Sequence, residues 1–225
     1  MQALIIIIST IILFVLMQKL YAKMNNPLFL PILTVTIITS VVLVIFNIPY
    51  DTYMKGGEWI QRMLGPAVVA LAYPLYNQME LIFKYKFSIL VSLIVAMVAG
   101  LVSVYALLKL FSATDSFIYT ALPKSLTTPV AMQVSDSVGG IAPLTAVLVM
   151  VAGFTGAIFG PLMYKWVRID TPISRGVAMG SASHGVGITK LKEYGEEDLS
   201  IGSLSMGLSA VLGAVFVPIF ALLFM

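Results

Sequence analysis

Long apolar runs alternate with short polar breaks along the chain, and their lengths predict membrane-spanning helices. The most uniform runs occupy residues 3–20, 28–46, 87–110, 141–166 and 201–223. Each is close to the ~20 residues that a helix needs to cross a hydrocarbon core about 30 Å thick. An isolated strand cannot satisfy its backbone in lipid, so helices are expected even where isoleucine and valine dominate. We interpret the first run as a retained span, because no basic start or convincing cleavage site accompanies it.

Two further runs are apolar but interrupted. Residues 64–78 read LGPAVVALAYPLYNQ, in which Gly65, Pro66 and Pro74 favour a kinked or broken helix. Residues 176–191 read GVAMGSASHGVGITKL and are rich in glycine, with Gly185 directly after the only histidine. So much glycine and serine makes an uninterrupted helix unexpected, and indicates backbone that faces a cavity or a close neighbour.

The segment 123–140, PKSLTTPVAMQVSDSVGG, is the most polar stretch between apolar runs. Pro123, Pro129, Gly139 and Gly140 are its expected helix breaks. Irregular backbone is tolerated within a membrane only where protein covers it or where it lines a wet cavity. The segment is therefore predicted to be a re-entrant or broken element that lines a site. The alternative is an ordinary extramembrane loop followed by a surface helix.

The predicted fold class is an all-α polytopic membrane protein with about seven transmembrane helices and discontinuous helices in inverted repeats. One transmembrane domain covers residues 1–225, divided into a first span (1–26), a first repeat (27–110), the polar re-entrant segment (111–140) and a second repeat (141–225). Each repeat contains a long span, a broken polar span and a long span, and seven crossings insert the two in opposite directions. That pattern is typical of secondary transporters.

Composition supports the membrane class and excludes several functions. Hydrophobic residues make up 60% of the chain and charged residues 10%, against roughly a quarter charged in soluble domains. The absence of cysteine excludes thiolate catalysis and disulfides, and one histidine excludes a histidine-rich metal site. We therefore expect no metal, no cofactor and no enzymatic activity. Basic residues form no cluster that would predict a nucleic-acid partner.

The basic residues instead bear on orientation in the membrane. With a re-entrant segment at 123–140 and seven crossings, one face carries seven lysines and arginines and the other five. The positive-inside rule then favours an amino terminus outside and a cytoplasmic carboxyl terminus.

The polar segments supply the candidate substrate site. Lys124 is a candidate to neutralise an anion, since ionisable groups at membrane depth are rare and usually functional. Thr128 is the expected N-cap and Pro129 the first residue of a helix whose free N–H groups and positive dipole end face Lys124. The hydroxyls expected to contact substrate are those of Ser125, Thr127, Thr128, Ser181 and Ser183. The alternatives are a lysine that extends to the interface and hydroxyls that only cap a helix.

Two ionisable residues are candidates for proton or ion coupling. Asp136 is expected to exchange a proton, bind sodium or pair with Lys124, and that pairing requires the segment to fold back. His184 titrates near neutral pH and is a candidate proton relay. For both residues a structural role is the competing interpretation.

Three motifs carry a resemblance to a known family. They are LGPAVVALAYPLY from residue 64, PKSLTTPVAMQVSDSVGG from residue 123 and GSASHGVGITKLKE from residue 180. In their order and spacing, these motifs resemble those of the LrgB/CidB membrane family, and the resemblance covers nearly the whole chain.

The resemblance implies a bacterial plasma-membrane protein with one of two functions. Some members are described as holin-like or antiholin-like proteins that influence murein hydrolase activity and lysis together with a small membrane partner, LrgA or CidA. Others look like pyruvate importers that use the same partner, and the plastid glycolate/glycerate translocator is similar to a fusion of the two. A transporter or transporter subunit for small monocarboxylates is therefore expected first and a lysis regulator second. A homodimer is expected from the fold class alone.

Overall fold

The computed structural model describes residues 2–24, 31–63 and 79–224, together with residues 29, 66, 73 and 76. Within these ranges the chain is helical with short turns, and it contains no strand. The predicted break at 64–78 lies almost entirely outside the described residues. Gly65 and Pro74 are among those left out, and Pro66 is described only as an isolated helical residue.

The described residues form helices that fall into two compact units, Met1–Ala72 and Tyr73–Met225. The first contains α1 (Gln2–Met24), α2 (Pro31–Ile45) and α3 (Tyr50–Arg62). The second contains α4 (Met79–Leu110), α5 (Asp115–Ala121), α6 (Thr128–Ser137), α7 (Ala142–Val167), α8 (Pro172–Leu191) and α9 (Glu196–Phe224).

In the first unit, α1 packs against both α2 and α3. Gly56 of α3 is buried against α1, where a Cβ atom would lie 2.7 Å from the Cβ of Ile6. The polar surface of α3 carries an ion pair between Arg62 and Glu58, whose Nη2 and Oε1 atoms are 2.7 Å apart. Trp59 is exposed beside them, as expected of an interfacial anchor.

Four helical stretches among the described residues are long and apolar enough to cross a membrane: Gln2–Met24, Phe83–Leu110, Ala142–Val167 and Glu196–Phe224. A shorter apolar helix covers Leu33–Ile45. These observations confirm an all-helical membrane protein. They do not confirm seven crossings or inverted repeats.

The long helices α4, α7 and α9 define two ends of the second unit. Face A is the end at which α4 finishes, α7 begins and α9 finishes, and face B is the opposite end. Near face A, the Tyr105 hydroxyl of α4 donates to the carbonyl of Phe224 at 2.9 Å. Towards face B, Ile89 of α4 packs with Ile201 of α9 in one buried cluster. α4 and α9 are therefore parallel.

Helix α8 reverses direction at His184 and forms what we call the second hairpin. His184 has φ 38° and ψ −141°, which breaks the helix. Gly202 of α9 lies close to Gly176 and also to Leu191. In a straight helix those two residues would be about 22 Å apart. The two halves of α8 therefore lie side by side, and the segment 176–191 enters and leaves at face B instead of crossing.

Glycines of α7 allow the second hairpin to approach closely. A Cβ on Gly153 would lie 3.0 Å from His184 Cε1, and one on Gly156 would overlap the side chain of Ser183. One turn further, Gly160 faces Met179. The small-residue stripe on α7 is thus a close-packing surface for the hairpin. The tip at His184 reaches the middle of α7.

A buried ion pair fixes the base of the second hairpin to α9. Arg175 Nε lies 2.7 Å from Asp198 Oδ1, and Arg175 Nη2 donates to Asp198 Oδ2 at 3.1 Å. The Asp198 side chain is only 2% exposed, so the two-pronged geometry compensates a desolvated charge. The Tyr164 hydroxyl of α7 donates to the Arg175 carbonyl at 2.9 Å.

The first hairpin consists of α5, the turn 122–127 and α6. At its base the Thr145 hydroxyl of α7 lies 2.9 Å from the Thr120 carbonyl and 2.7 Å from the Ser135 hydroxyl. At its tip, Leu126 fills the space over Gly213, near the middle of α9. The first hairpin therefore enters from face A and ends at mid-length of the long helices.

We predict that Gly180→Ala destabilises the protein, whereas Gly207→Ala does not. A Cβ on Gly180 would lie 2.3 Å from the backbone oxygen of Gly202, but nothing lies within 4 Å of one on Gly207. Overpacking costs about 1–3 kcal/mol. Replacing a helical glycine that has free space beside it by alanine stabilises the folded state by about 0.5–1 kcal/mol. Thermal unfolding in detergent measures both, and equal midpoints would contradict the close packing of α8 on α9.

Candidate functional site

The tips of the two hairpins meet around Lys124. One cavity of about 190 Å³ is lined by Lys124 and Ser125 from the first hairpin and by Ser181 and Ala182 from the second. A larger cavity of about 500 Å³ is lined by Lys124, by Ala182 and Ser183, and by one side of α7. Lys124 and Ala182 thus contribute to both cavities. The structure brings together four of the predicted substrate residues: Lys124, Ser125, Ser181 and Ser183.

Lys124 is partly buried and has no counter-ion in the part of the chain that the structure describes. None of the ion pairs found there involves its ammonium group. A lysine at the centre of a bilayer costs about 2.5–3.5 kcal/mol even on insertion scales. An anion that entered either cavity would recover part of that cost by pairing with Lys124.

The helix start beside Lys124 differs from the predicted one by one residue. Thr127, not Thr128, is the N-cap of α6, and Pro129 is the second helical residue. The Thr127 side chain does not cap the helix. Ala131 is the first residue whose N–H reaches a backbone carbonyl, that of Thr127 at 2.8 Å. The N–H groups that precede it in α6 therefore have no backbone partner, and they lie at the positive end of the helix dipole.

Several hydroxyls near the tips are available to a ligand. Ser183 is 4% exposed, and no hydrogen bond to its hydroxyl is found among the described residues. The hydroxyls of Ser125, Thr127 and Thr128 are likewise without a protein partner there, although Thr127 and Thr128 line neither cavity. Ser181 donates only a long bond of 3.4 Å to the Ala178 carbonyl. Buried hydroxyls normally find partners, so unpaired ones beside a cavity are typical of a ligand or water site.

His184 holds the tip of the second hairpin against α7. Its Nε2 atom lies 2.8 Å from the Val149 carbonyl. A carbonyl only accepts, so Nε2 carries the hydrogen and donates it. His184 is 4% exposed. This hydrogen bond corresponds to the structural role considered for His184. A role as proton relay stays a prediction.

Asp136 is not part of this cluster. It lies in the last turn of α6, near the base of the first hairpin, and its side chain is exposed. The chain reverses between α5 and α6, not between Lys124 and Asp136, and no ion pair joins these two residues. The hairpin places the two residues at opposite ends of α6, which explains why they do not meet.

The predicted helix breaks at the first hairpin have distinct local roles. Pro123 is fully buried in the turn. Gly139 has φ 89°, and the Gly140 N–H donates to the Ser135 carbonyl at 2.8 Å, which ends α6 in a Schellman motif. In the second hairpin, Gly185 follows the reversal at His184, and a Cβ there would have only Met206 Sδ nearby, at 3.9 Å.

The sequence interpretation missed the contribution of α4. Met97, Gly100 and Leu101 line the smaller cavity, although the run that contains them is uniformly apolar. Gly100 was the one available signal, because it interrupts that run and leaves space beside the tips. Among the described residues, no group of three or more histidine, cysteine, aspartate or glutamate side chains could hold a metal ion.

The geometry defines the class: an all-helical membrane protein in which two polar hairpins enter from opposite ends and meet around a partly buried cation. The sequence then identifies the family. The model of the LrgB-like family matches residues 10–223, so the chain belongs to that family.

Similar proteins span almost the same length. The chain is 45% identical to protein YxaC of Bacillus subtilis (strain 168) over 99% of this chain and 96% of YxaC. It is 37% identical to the Holin-like protein CidB of Staphylococcus epidermidis over 100% of this chain and 98% of that protein. A Holin-like protein CidB from Staphylococcus aureus is 35% identical over 99% and 97%. No solved structure matches the chain.

Proposed function

We propose that this protein is a transporter, or the substrate-binding subunit of one, for small monocarboxylates such as pyruvate or glycolate. The observation that carries the proposal is Lys124, a partly buried cation without a carboxylate partner among the described residues. It lines two cavities, of which the unpaired hydroxyl of Ser125 lines the smaller and that of Ser183 the larger. A carboxylate complements these groups, because it accepts hydrogen bonds from the hydroxyls and neutralises the lysine.

The opposed hairpins supply a route for alternating access. The tip of the first is reached from face A and the tip of the second from face B, and both end near the middle of the long helices. Secondary transporters bind substrates where interrupted helices meet near the midplane. A small displacement of either tip would expose Lys124 to one face at a time. A lysis regulator has no comparable need for a paired polar interior.

The names of the similar proteins favour a second candidate function. Several of them, including those from S. epidermidis and S. aureus, are called Holin-like protein CidB. A holin-like role in lysis would require assembly in the membrane but no solute site. A small LrgA/CidA-like membrane partner is compatible with either function. The proposal includes a homodimer, and only the fold class supports that oligomeric state.

We predict that Lys124→Gln reduces uptake of labelled pyruvate into proteoliposomes about tenfold or more, with the small partner present. A hydrogen bond to a charged group contributes about 1.5–3 kcal/mol, and 1.4 kcal/mol is a factor of ten. Lys165→Gln is the matched control, because Lys165 is exposed at the end of α7 and should retain uptake.

The same preparations distinguish the two functions. If the wild-type protein takes up neither pyruvate nor glycolate with or without its partner, and a lysis phenotype survives Lys124→Gln, the holin-like role is favoured. Loss of uptake in both lysine variants would show that the effect is not specific to the site.

The second hairpin also changes the expected orientation. Because it enters and leaves at face B, seven basic residues of the described second unit lie at that face: Lys84, Lys86, Lys165, Arg168, Arg175, Lys190 and Lys192. Within the described second unit only Lys109 lies at face A, and Lys124 is interior. The positive-inside rule then supports a cytoplasmic face B. Since α9 ends at face A, we propose a carboxyl terminus outside the cytoplasm, opposite to the expectation from the seven-crossing count.

We predict that a thiol placed after Met225 reacts in intact cells with a membrane-impermeant maleimide, whereas Lys192→Cys at face B reacts only after lysis. The chain has no cysteine, so each variant carries a single thiol. Labelling of Lys192→Cys but not of the terminal thiol in intact cells would contradict this orientation.

A further inference from the structure

The larger cavity is an elongated slot rather than a compact pocket. Its lining on α7 extends from Leu148 to Tyr164, which is about 24 Å along the helix. The neighbouring wall is formed by the second hairpin. Ser183 and Met179 of the hairpin pack against Gly156 and Gly160 of α7, so the slot runs alongside that contact. Ile169, in the connection at face B, also lines the slot, so it leads from face B to the tips.

The polar groups of the slot are concentrated at its inner end. Lys124 is the only charged residue among those that line it, and the unpaired Ser183 hydroxyl is close to the hairpin tip. The Thr155 hydroxyl is already bonded to the Val151 carbonyl at 2.7 Å, and that of Tyr164 to the Arg175 carbonyl. The remaining lining is apolar and includes Phe159, Met163 and Met179.

The size of the slot exceeds the needs of a three-carbon acid. At the ~30 Å³ that one water molecule occupies in the liquid, the six heavy atoms of pyruvate fill at most about 180 Å³. The cavity has about 500 Å³ and is open along one side, where Val151 and Phe159 of its lining are more than half exposed. Pyruvate bound at Lys124 would leave most of the apolar wall without a contact. A longer apolar tail would cover it.

We propose that the preferred ligands of this site are monocarboxylates with an apolar tail of several carbons, such as branched-chain 2-oxo acids. Their carboxylate binds at Lys124 and Ser183 and their tail lies along α7. The proposal rests on the monocarboxylate function and narrows its substrate class. A dicarboxylate is disfavoured, because its second charge would lie against apolar walls. Arg175 at the base is already paired with Asp198 and cannot neutralise it.

The test is competition against labelled pyruvate uptake in proteoliposomes, with direct binding measured in nanodiscs. We expect 4-methyl-2-oxopentanoate, which has three more carbons than pyruvate, to compete at a concentration at least tenfold lower than unlabelled pyruvate. The dicarboxylate 2-oxoglutarate should compete at least tenfold more weakly than pyruvate. Ala152→Phe, which fills the slot, should bring the ratio between the competing concentrations of the two monocarboxylates towards one. Ala214→Phe, on the exposed surface of α9, should leave it unchanged.

The outcomes separate this inference from the transport function. Uptake of pyruvate with equal competition by all three acids would overturn the inference and retain transport. Absence of uptake, together with nanodisc binding of 4-methyl-2-oxopentanoate that Lys124→Gln abolishes, would remove transport and retain the site. Binding that is absent or insensitive to Lys124→Gln would overturn the inference. The inference would also be overturned if native mass spectrometry detected a lipid that co-purifies in the slot and that the acid does not displace.

Discussion

The desolvation of one lysine is the constraint on which the arrangement around the site depends. A charge and irregular backbone are stable in an apolar interior only if other groups compensate them. Here the compensation is incomplete, because Lys124 has hydroxyls and a helix start nearby but no carboxylate among the described residues. The two hairpins shield it from lipid and leave space beside it. A partly compensated cation next to a cavity is what an anion-binding site requires before its ligand arrives.

Close packing by small residues makes this enclosure possible. Two helical hairpins fit among three long helices only if backbones approach to within a few ångströms. Gly153, Gly156 and Gly160 allow that approach on α7, and Gly180 and Gly202 allow it between α8 and α9. The Arg175–Asp198 pair then holds the base of the second hairpin. The tip is held by its close packing on Gly153 and Gly156 and by the hydrogen bond from His184 to Val149.

Much of this was accessible from the sequence, and the reasons for the exceptions are physical. Hydrophobic run length identified the long helices, and polar composition identified 123–140 and 176–191 as unusual. Gly153, Gly156 and Gly160 recur at three- and four-residue spacing, a pattern typical of a helix contact surface, and the second hairpin packs there. Composition did not reveal that 176–191 reverses at His184. The reversal is visible only in tertiary contacts, because Gly176 and Leu191 both lie close to Gly202, which is distant in sequence. The part played by α4 was also hidden, since a lining residue such as Met97 is indistinguishable from a lipid-facing one in an apolar run.

The central claim is that the tips of the two hairpins meet in the interior, and a cross-link between them tests it most directly. In a chain without cysteine, Ser125→Cys and Ser181→Cys can be combined and treated in membranes with a short bifunctional thiol reagent. The structure predicts an efficient intramolecular cross-link for this pair, because both residues line one cavity of about 190 Å³. Ser125→Cys combined with Ser174→Cys, at the base of the second hairpin, should not cross-link. Equal cross-linking of both pairs, or of neither, would contradict the account.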